Sequence, residues 1–477
     1  MNRSFQLSKK QNKHFEEIKN QRITLYLILA TMSITLSPMK TLFTQNNSEG
    51  ICSMTKQSKR VSPDKNSTSG ASRRDFLHAA AGGAALGASG VLMPNLFAAD
   101  SDQANRKIRM GIVGGRFGLG FFFHEHPNSV VTGVAELRPE RLERLSKTYR
   151  CDKKYDSMEI MLKEAKDIDA VGIFTEAPNH VRHSIAAMKA GKDVLCAVPA
   201  AMNLEECQQL IDTVKSTGKT FMMAETSYWQ QSTISARKFF QDGKFGDLIY
   251  CESMYQHDGL DSLFFENGKK TWRHGFPPMH YPTHCTAHLV GVTGQRLTEV
   301  VCHGWGDENE ILKNNAYDNP FWDETAMFKT DTGMGFNVRV WWRGAHRGGE
   351  RAEWIGDEMS FYGHHPNGQG PLIIRKGNQT EKDDAGFVRN LPKFENYKQP
   401  NWWATDMLPK PLRHNSGHHG SHTFITHEFI DSLIKQRTPA VDVYEAVAYT
   451  APGIVAHQSA LKGGELLKIP DFGRACN

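Results

Sequence analysis

The chain has 477 residues, and its 57 Lys and Arg residues against 52 Asp and Glu residues give a formal net charge of +5. The excess lies at the start of the chain, because residues 1–99 hold 13 basic and 5 acidic side chains and the rest holds 44 and 47. The chain after residue 99 therefore lacks the basic balance typical of nucleic-acid binding, and we expect no nucleic-acid partner.

The first signal in chain order is a pair of arginines, Arg73 and Arg74, directly before a weakly apolar run from Leu77 to Met93. Two alanines follow the run, where a peptidase could cut. This order is typical of a twin-arginine leader. It predicts a signal peptide over residues 71–99, the twin-arginine translocase as a partner during export, and a periplasmic or otherwise exported protein. The alternative is a buried Ala- and Gly-rich helix that begins with a basic pair.

After the leader, apolar strand patterns alternate with amphipathic helix patterns. The predicted strands are residues 107–115, 129–137, 169–175, 193–198 and 220–225. Strands that alternate with helices predict a parallel, doubly wound sheet of the α/β class. Ligands of such a sheet bind at the carboxyl ends of its strands, so the residues directly after each strand are the candidates for a site.

The first of these turns is the glycine-rich stretch GGRFGLG, residues 114–120, which predicts a bound dinucleotide. Glycines let the chain turn tightly and let a pyrophosphate approach the backbone N–H groups at the start of a helix. Glu136 ends the second strand, where an acid accepts both ribose hydroxyls, and it favours NAD over NADP. Arg116 argues for NADP, and a glycine-rich turn beside a surface glutamate is the alternative without a cofactor. The predicted contacts here are Gly114, Gly115, Arg116, Phe117, Gly118 and Glu136.

Residues after the later strands complete the predicted cofactor site. Asn179 is also expected to cap a helix over residues 180–190. The predicted contacts are Thr175, Asn179, His180, Pro199 and Glu225.

Three stretches carry a resemblance to a known family: DIDAVGIFTEAPNHVRHSIAAMKAGKDVLCAVPAAMNLEEC, RTPAVDVYEA and GGELLKIPDFG. From about residue 107 onward the chain resembles the Gfo/Idh/MocA oxidoreductases, which are two-domain sugar and inositol dehydrogenases. The resemblance implies a dinucleotide-binding Rossmann domain over 104–228 and a sugar-binding α+β domain over 229–474 with a large, open, mostly antiparallel sheet. Strand and hairpin patterns after residue 245 fit that second domain independently. The open sheet face expected of this fold implies a homo-oligomer, either a dimer or a tetramer. Residues 1–70 are expected to be a disordered or non-native extension.

The stretches VPAAMNLEEC, YQHD and YPTH are most similar to the NAD-dependent glycosidases that include α-N-acetylgalactosaminidases. In that branch, bound NAD oxidises the sugar at C3, the aglycone is eliminated, water adds, and the cofactor returns the hydride. The chain departs from both groups at residues 197–199, which read Ala-Val-Pro. Most of the oxidoreductase family has Glu-Lys-Pro there and the glycosidases have Glu-Val-Pro. Other side chains must therefore take over the proton transfer, or the activity has drifted or been lost.

The segment GFPPMHYPTHCTAH, residues 275–288, holds the strongest candidates for that role. His and Tyr exchange protons with sugar hydroxyls, and the resemblance matches Tyr281 and His284 to the sugar pocket of the glycosidases. It also matches Arg273 to a substrate-binding arginine and Tyr228 to an active-site tyrosine. The alternative is that these histidines cap helices or bond backbone carbonyls.

Two histidine-rich stretches raise the question of a metal. His284 and His288 have the i, i+4 spacing of ligands on one helical face, and RHNSGHHGSH at 413–422 contains four further histidines. Neither stretch has a third ligand of known position. We therefore expect no metal, and we predict that residues 413–422 form a loop that covers the sugar site.

Export of a cofactor-binding protein constrains its function. Outside the cytoplasm there is no pool of free NAD, so the reaction cycle must restore the bound cofactor or a second substrate must reset it. We therefore predict an oxidoreductase with tightly bound NAD, or alternatively NADP, that acts on a sugar or glycoside. A redox-neutral glycosidase and a sugar-binding protein without activity are the two alternatives.

Replacing Arg73 and Arg74 together by lysine is expected to leave the protein in the cytoplasm with its leader uncut, because the translocase recognises the arginine pair. Cell fractionation and mass spectrometry of the N-terminus measure this. The matched control is Arg60→Lys, which lies outside the pair. Unchanged export of the double variant would point to a different route.

Overall fold

The computed structural model describes residues 106–257, 263–306, 308–344, 349–365 and 367–475. The predicted extension over 1–70 and the predicted leader over 71–99 lie outside the described residues. No helix within the described segments combines the length and the apolar character needed to cross a membrane.

The first half of the described chain is a parallel sheet with helices between its strands. Its strands are β1 Ile108–Val113, β2 Ser129–Ala135, β3 Lys154–Tyr155, β4 Ala170–Ile173, β5 Asp193–Cys196 and β6 Phe221–Met223. Its helices are α1 Pro139–Tyr149, α2 Met158–Glu164, α3 His180–Lys189 and α4 Leu204–Thr217. The strands lie in the order β3-β2-β1-β4-β5-β6 and all pair in parallel. The order reverses between β1 and β4, so a ligand crevice is expected where these two strands end.

The second half is built on a nine-stranded mixed sheet. Its strands are β7 Leu248–Gln256, β10 Leu297–Trp305, β11 Asp323–Thr330, β12 Gly335–Trp341, β13 Gly349–Gly356, β14 Met359–Tyr362, β15 Leu372–Arg375, β18 Lys393–Asn396 and β19 Leu467–Lys468. Two hairpins stand apart, β8 Phe265–Glu266 with β9 Lys269–Lys270, and β16 Thr380–Lys382 with β17 Val388–Asn390. The helices are α5 Gln231–Gln241, α6 Thr283–Thr293, α7 Gly417–Lys435 and α8 Val443–Leu461.

The nine strands run in the order β18-β15-β14-β13-β7-β12-β11-β10-β19. All neighbours are antiparallel except β7 and β12, which pair in parallel. Helix α6 contacts β7, β12 and β13, and α8 contacts β10. The predicted fold class, a Rossmann sheet followed by a mostly antiparallel sheet with helices, is confirmed.

The connection from β1 to β2 differs from the expected strand–turn–helix unit. Residues 114–128, all of them described, form two short 3-10 helices, Phe117–Gly120 and Phe123–Glu125, and no α-helix. Phe121 and Phe123 are fully buried. Four glycines disfavour a helix here, and consecutive aromatic residues do not fit the spacing of one helical face.

The expectation that Asn179 caps α3 is wrong. The preceding residues already form a 3-10 turn, and the backbone of Asn179 is in the right-handed helical region with no capping hydrogen bond from its side chain. A capping residue needs an extended backbone, which this turn does not allow.

A buried glutamate anchors the segment that carries the predicted catalytic residues. Glu324 is fully buried on β11. Its Oε2 atom accepts a hydrogen bond from Met279 N at 2.6 Å, and its Oε1 atom lies 2.7 Å from His457 Nδ1 on α8. Met279 belongs to the 3-10 turn Pro278–His280 directly before Tyr281. Glu324 therefore fixes the position of that turn against the second sheet.

Glu324→Ala is expected to lower the free energy of unfolding by about 3 kcal/mol, because it leaves a buried amide and a buried imidazole without their acceptor. Urea unfolding followed by fluorescence measures the change. The control is Glu310→Ala, whose side chain is 83% exposed and whose loss should change stability by less than about 0.5 kcal/mol. Equal stability of the two variants would contradict the anchoring role.

Candidate active site

Two glutamates and one histidine form a buried charged cluster between the two sheets. Glu225 follows β6, His284 lies in the first turn of α6, and Glu350 lies at the start of β13. The His284 Nδ1 atom is 2.9 Å from Glu225 Oε1 and 4.0 Å from Glu350 Oε1. The side chains of Glu225 and His284 are 0% and 5% exposed. Buried charges are costly unless they are paired, so this arrangement requires a protonated His284.

Glu350 is held by the turn that follows Glu225. The Ser227 hydroxyl and the Gln230 side-chain amide both donate hydrogen bonds to Glu350 Oε2. The backbone N–H of Ser227 donates to Glu225 Oε1 at 2.8 Å. The same turn therefore orients both carboxylates and ties the end of β6 to the start of β13.

The electrostatics of the cluster keep His284 positively charged. Burial alone would lower its pKa, but Glu225 and Glu350 outweigh burial and raise the pKa of His284 to about 10. Burial likewise opposes ionisation of Glu225, and the charge and hydrogen bond of His284 lower the pKa of that carboxyl. At neutral pH His284 is an imidazolium, which donates hydrogen bonds, holds its proton more tightly than an ordinary histidine, and accepts no further proton.

Aromatic rings surround His284 on the side of the second sheet. The ring centroids of Tyr255 and Tyr281 lie 4.9 Å and 5.0 Å from that of His284, and the two tyrosines stack at 5.5 Å. Trp342 lies 5.7 Å from Tyr281. The structure thus brings together the predicted pair Tyr281 and His284, and it adds Tyr255 to them.

The irregular start of α7 packs against the glycine-rich turn. His418, His419 and Gly420 adopt left-handed conformations with φ of 50°, 59° and 91°. His418 Nδ1 lies 2.8 Å from His422 Nε2. Left-handed backbone is unfavourable for residues other than glycine, and it concentrates at functional sites.

This start of α7 also reaches toward the charged cluster. His422 Nδ1 lies 2.9 Å from Gly120 O, and its ring stacks on Phe121 with centroids 4.6 Å apart. Burial lowers the pKa of His418 to about 4, and the neighbouring His422 is the next largest cause. The charges of Glu350 and His284 also act on this pKa. The segment 413–422 therefore adjoins the cluster and the glycine-rich turn at once. Whether it covers a bound sugar stays a prediction.

The glycine-rich turn and Glu136 have the arrangement that an adenosine ribose requires. Gly114 has φ of 104°, and a side chain there would collide with the carbonyl oxygen of Phe174. Glu136 Oε2 accepts the backbone N–H of Gly115 at 2.6 Å, so its carboxylate lies at the end of β2 beside the turn. This geometry fits a dinucleotide at the strand ends. Because no α-helix follows β1, the turn presents no α-helix N-terminus to a pyrophosphate, and Arg116 is the positively charged side chain within the turn.

Phe117 and Gly118, the other two predicted cofactor contacts in the turn, contact other groups of the protein. The ring of Phe117 lies 5.1 Å from that of Phe121 and 5.6 Å from that of His418. The carbonyl oxygen of Gly118 accepts a hydrogen bond from the hydroxyl of Tyr149. Phe117 therefore packs between the turn and the start of α7.

The predicted contacts after the later strands lie at the ends of β4 and β5. His180 is buried, with Nδ1 2.8 Å from Pro199 O and Nε2 3.1 Å from Thr175 O. Thr175 Oγ1 lies 2.9 Å from His183 Nδ1. His180 therefore joins the two strand ends, and Asn179 lies next to it at the start of α3. Glu225, also predicted to contact the cofactor, is instead paired with His284.

The remaining predicted catalytic residues lie apart from the charged cluster. Arg273 stacks on Trp272, with its guanidinium carbon 4.2 Å from the ring centroid. Burial lowers the pKa of His180, hydrogen bonds to the backbone of Pro199 and Thr175 oppose that shift, and the positive charge of Arg273 adds to it. The ring of Tyr228 lies 3.9 Å from the guanidinium carbon of Arg237 and close against Gly291. Gly291 lies two helical turns beyond His284 on α6. The ring of Tyr228, which packs against Gly291, therefore lies away from the side chain of His284.

His288 has a different environment from His284. Its Nδ1 atom lies 2.9 Å from Thr233 Oγ1, and burial lowers its pKa to about 4. The described residues contain no group of three or more His, Cys, Asp or Glu side chains arranged to hold a metal ion.

Sequence reasoning missed Glu350 and Tyr255, although a signal for Glu350 exists. Strand β13 alternates, and its buried residues Ala352 and Trp354 share a face with Glu350. A carboxylate at an inward-facing strand position is unusual, so it marks a paired or functional group. Tyr255 begins the stretch YQHD, which carries part of the family resemblance, but no role is predicted for it.

Comparison with known proteins identifies the two parts of the chain. Residues 108–225 match the Gfo/Idh/MocA family model, described as "Oxidoreductase family, NAD-binding Rossmann fold". Residues 383–476 match the model "Glycosyl hydrolase 109, C-terminal domain". Residues 108–225 are therefore similar to the NAD-binding Rossmann domain of the Gfo/Idh/MocA oxidoreductases, and residues 383–476 are similar to the C-terminal domain of glycosyl hydrolase 109.

Relatives support both matches. A glycosyl hydrolase family 109 protein of Solibacter usitatus is 26% identical over 66% of this chain and 73% of its own length. An α-N-acetylgalactosaminidase of Tannerella forsythia is 26% identical over 65% of this chain and 72% of its own length. Levoglucosan dehydrogenase in complex with NADH and L-sorbose shares the fold with a TM-score of 0.61 at 16% identity, covering 77% of this chain and all of that one. Myo-inositol 2-dehydrogenase from Lactobacillus plantarum does so with a TM-score of 0.56 at 19% identity, covering 76% of this chain and all of that one.

His284 is expected to remain an imidazolium from pH 6 to pH 9. Its pKa in the folded state is about 10 against an ordinary value of 6.5. The folded protein therefore holds a proton that the unfolded chain releases. The stabilisation by this proton is complete below pH 6.5 and is lost as the pH rises through 10. NMR of ¹⁵N-histidine-labelled protein, with the signal assigned by His284→Gln, measures the charge. A neutral ring at pH 7.5 would contradict the ion pair.

Proposed function

We propose that this protein is an exported enzyme that holds a nicotinamide dinucleotide tightly and transfers hydride to or from a sugar or glycoside, with the cofactor restored within its own cycle. The observation that carries the proposal is the buried cluster of Glu225, His284 and Glu350, which lies between the nucleotide-binding sheet and the second sheet. Strongly perturbed ionisation of buried, paired groups in a cleft marks a candidate functional site.

The residues that would hold the dinucleotide are Glu136, for the ribose hydroxyls, and the turn from Gly114 to Gly118 with Arg116, for the phosphates. Once bound, NAD supplies a hydride acceptor and donor. Thr175 and His180 at the ends of β4 and β5, with Arg273 opposite them, border the crevice in which the nicotinamide and the sugar would meet.

The protein's own groups supply the proton transfer. The imidazolium of His284 is pre-oriented by Glu225 and Glu350, so it can donate a hydrogen bond or a proton to a sugar oxygen. The phenol of Tyr281, 5.0 Å away between ring centroids, is a second group that can donate a hydrogen bond or a proton to a sugar oxygen. Ala197 and Val198 are buried and apolar, so their side chains cannot transfer a proton. His284 and Tyr281 would take over that role from the Lys or Glu side chains that the related families carry at these positions.

A redox-neutral glycoside hydrolase is the second candidate. It is favoured by the C-terminal match and by the names of the relatives. Both candidates use the same bound dinucleotide and differ only in whether an aglycone leaves. The export route and the translocase partner belong to this proposal, and the homo-oligomer stays a prediction.

The test begins with purified protein that has not been reconstituted. We expect about one dinucleotide per chain on denaturation, identified by mass spectrometry. With a substrate found from a panel of p-nitrophenyl glycosides and free sugars, His284→Ala should lower turnover on the order of 10²-fold or more, the scale of a positioned acid–base group. It should keep its dinucleotide, because the nucleotide contacts lie on the first sheet.

Tyr281→Phe is the second variant, since it removes one hydroxyl and leaves the buried ion pair intact. It should also lower turnover while retaining dinucleotide. The control is His303→Ala, an exposed position on β10. A protein without dinucleotide would refute the proposal and leave a sugar-binding function. Full turnover by His284→Ala would refute the assignment of the proton-transfer group.

A further inference from the structure

Three arginines converge on one glutamate beside the predicted ribose position. Arg138 Nη1 lies 3.0 Å from Glu266 Oε2, Arg141 Nη2 lies 2.6 Å from Glu266 Oε1, and Arg116 Nη1 lies 3.8 Å from the same Oε1 atom. The arginines belong to the Rossmann domain, whereas Glu266 belongs to the hairpin of β8 and β9 in the second half of the chain. Hydrogen bonding to Arg138 and the charges of the three arginines lower the pKa of Glu266.

The position of this group relates it to the cofactor. Glu136 Oε1 accepts the backbone N–H of Arg138 at 3.1 Å, so the arginine follows directly from the carboxylate that would hold the ribose hydroxyls. Gly115 packs against the backbone of Arg141. The three guanidinium groups therefore surround the place where the 2′ position of an adenosine ribose would lie. Arginines at this place bind the 2′-phosphate of NADP.

We propose that Glu266 is a residue that determines cofactor specificity: it occupies the three arginines and thereby excludes NADP in favour of NAD. This inference rests on the proposed dinucleotide binding. Glu266 satisfies guanidinium groups that would otherwise attract a 2′-phosphate, and its own negative charge repels that phosphate. NAD, which has a hydroxyl at the 2′ position, meets only Glu136.

Exposure of the group is consistent with a ligand contact. The side chains of Arg116 and Arg138 are 62% and 51% exposed, and Glu266 is 31% exposed, so a phosphate could approach all three. The neighbouring Phe265 packs against His274, with ring centroids 5.4 Å apart, and this contact fixes the hairpin that presents Glu266. Replacing the carboxylate by an amide therefore changes the charge and keeps the hairpin.

The experiment is a competition between the two cofactors. Each protein is purified with the dinucleotide that it acquired in the cell and is denatured, and the ratio of released NADP to NAD is measured by mass spectrometry. We expect wild-type protein to retain mostly NAD, and Glu266→Gln to raise the NADP-to-NAD ratio by ~10-fold or more, because a like charge beside a phosphate costs several kcal/mol. The double variant Glu266→Gln with Arg141→Ala should lose most of that gain.

The matched control is Glu143→Gln on the same helix as Arg141, where the carboxylate pairs with Lys147 and Lys154 instead. Its ratio should equal that of the wild type. An unchanged ratio for Glu266→Gln with NAD still bound would overturn the specificity role alone, as would a wild-type protein that retains NADP. Absence of either dinucleotide from all variants would overturn this inference together with the proposed function.

Discussion

The ion pair between His284 and Glu225 is the interaction on which the site depends. Both groups are taken out of water, and such groups are stable only when their charges are compensated at close range. Glu225 follows the last strand of the first sheet and His284 starts the helix that covers the second sheet. Glu350, at the start of β13, adds a second carboxylate. The charges can be compensated only when the three elements are in place, so the cluster couples assembly of the two halves to the state of the site.

The cofactor side of the crevice depends on a different constraint, the short aromatic connection between β1 and β2. A helix there would present its N-terminus to a pyrophosphate. Phe117 and Phe121 instead pack against the start of α7, so the glycine-rich turn is held from the second half of the chain. Arg116 then becomes the positive charge nearest the turn. One layer of rings thereby connects the glycine-rich turn to His418.

The sequence predicted the sheets because strand and helix patterns alternate clearly from residue 107, and it predicted Tyr281 and His284 because they lie in one motif. It could not predict that Glu225 would pair with His284, since 59 residues separate them and the pairing depends on how the two sheets meet. Glu324 and Glu350 lie at inward-facing positions near the starts of β11 and β13, where a strand pattern is weakest. The absence of an α-helix between β1 and β2 could not be predicted, because a glycine-rich motif after the first strand usually precedes a helix.

The charge on His284 bears on which chemistry the site can perform. A lysine or glutamate at position 197 or 198 would stand on the Rossmann domain beside the cofactor, whereas His284 stands on the second domain behind Tyr281. An imidazolium held by two carboxylates stabilises negative charge that develops on a sugar oxygen, and it does so without first binding a proton from solution.

Abstraction of a proton from carbon requires a base, which His284 at a pKa of about 10 does not provide. Hydride transfer to a carbonyl carbon needs only that a proton be delivered to the carbonyl oxygen, a demand that Tyr281 and His284 can meet together. Elimination of an aglycone needs a carbon base as well, and a neutral histidine on which the charges of the cluster act is His418, whose pKa burial lowers to about 4. The charged cluster by itself therefore supports hydride transfer to a carbonyl, and a glycosidase cycle would need a carbon base in addition.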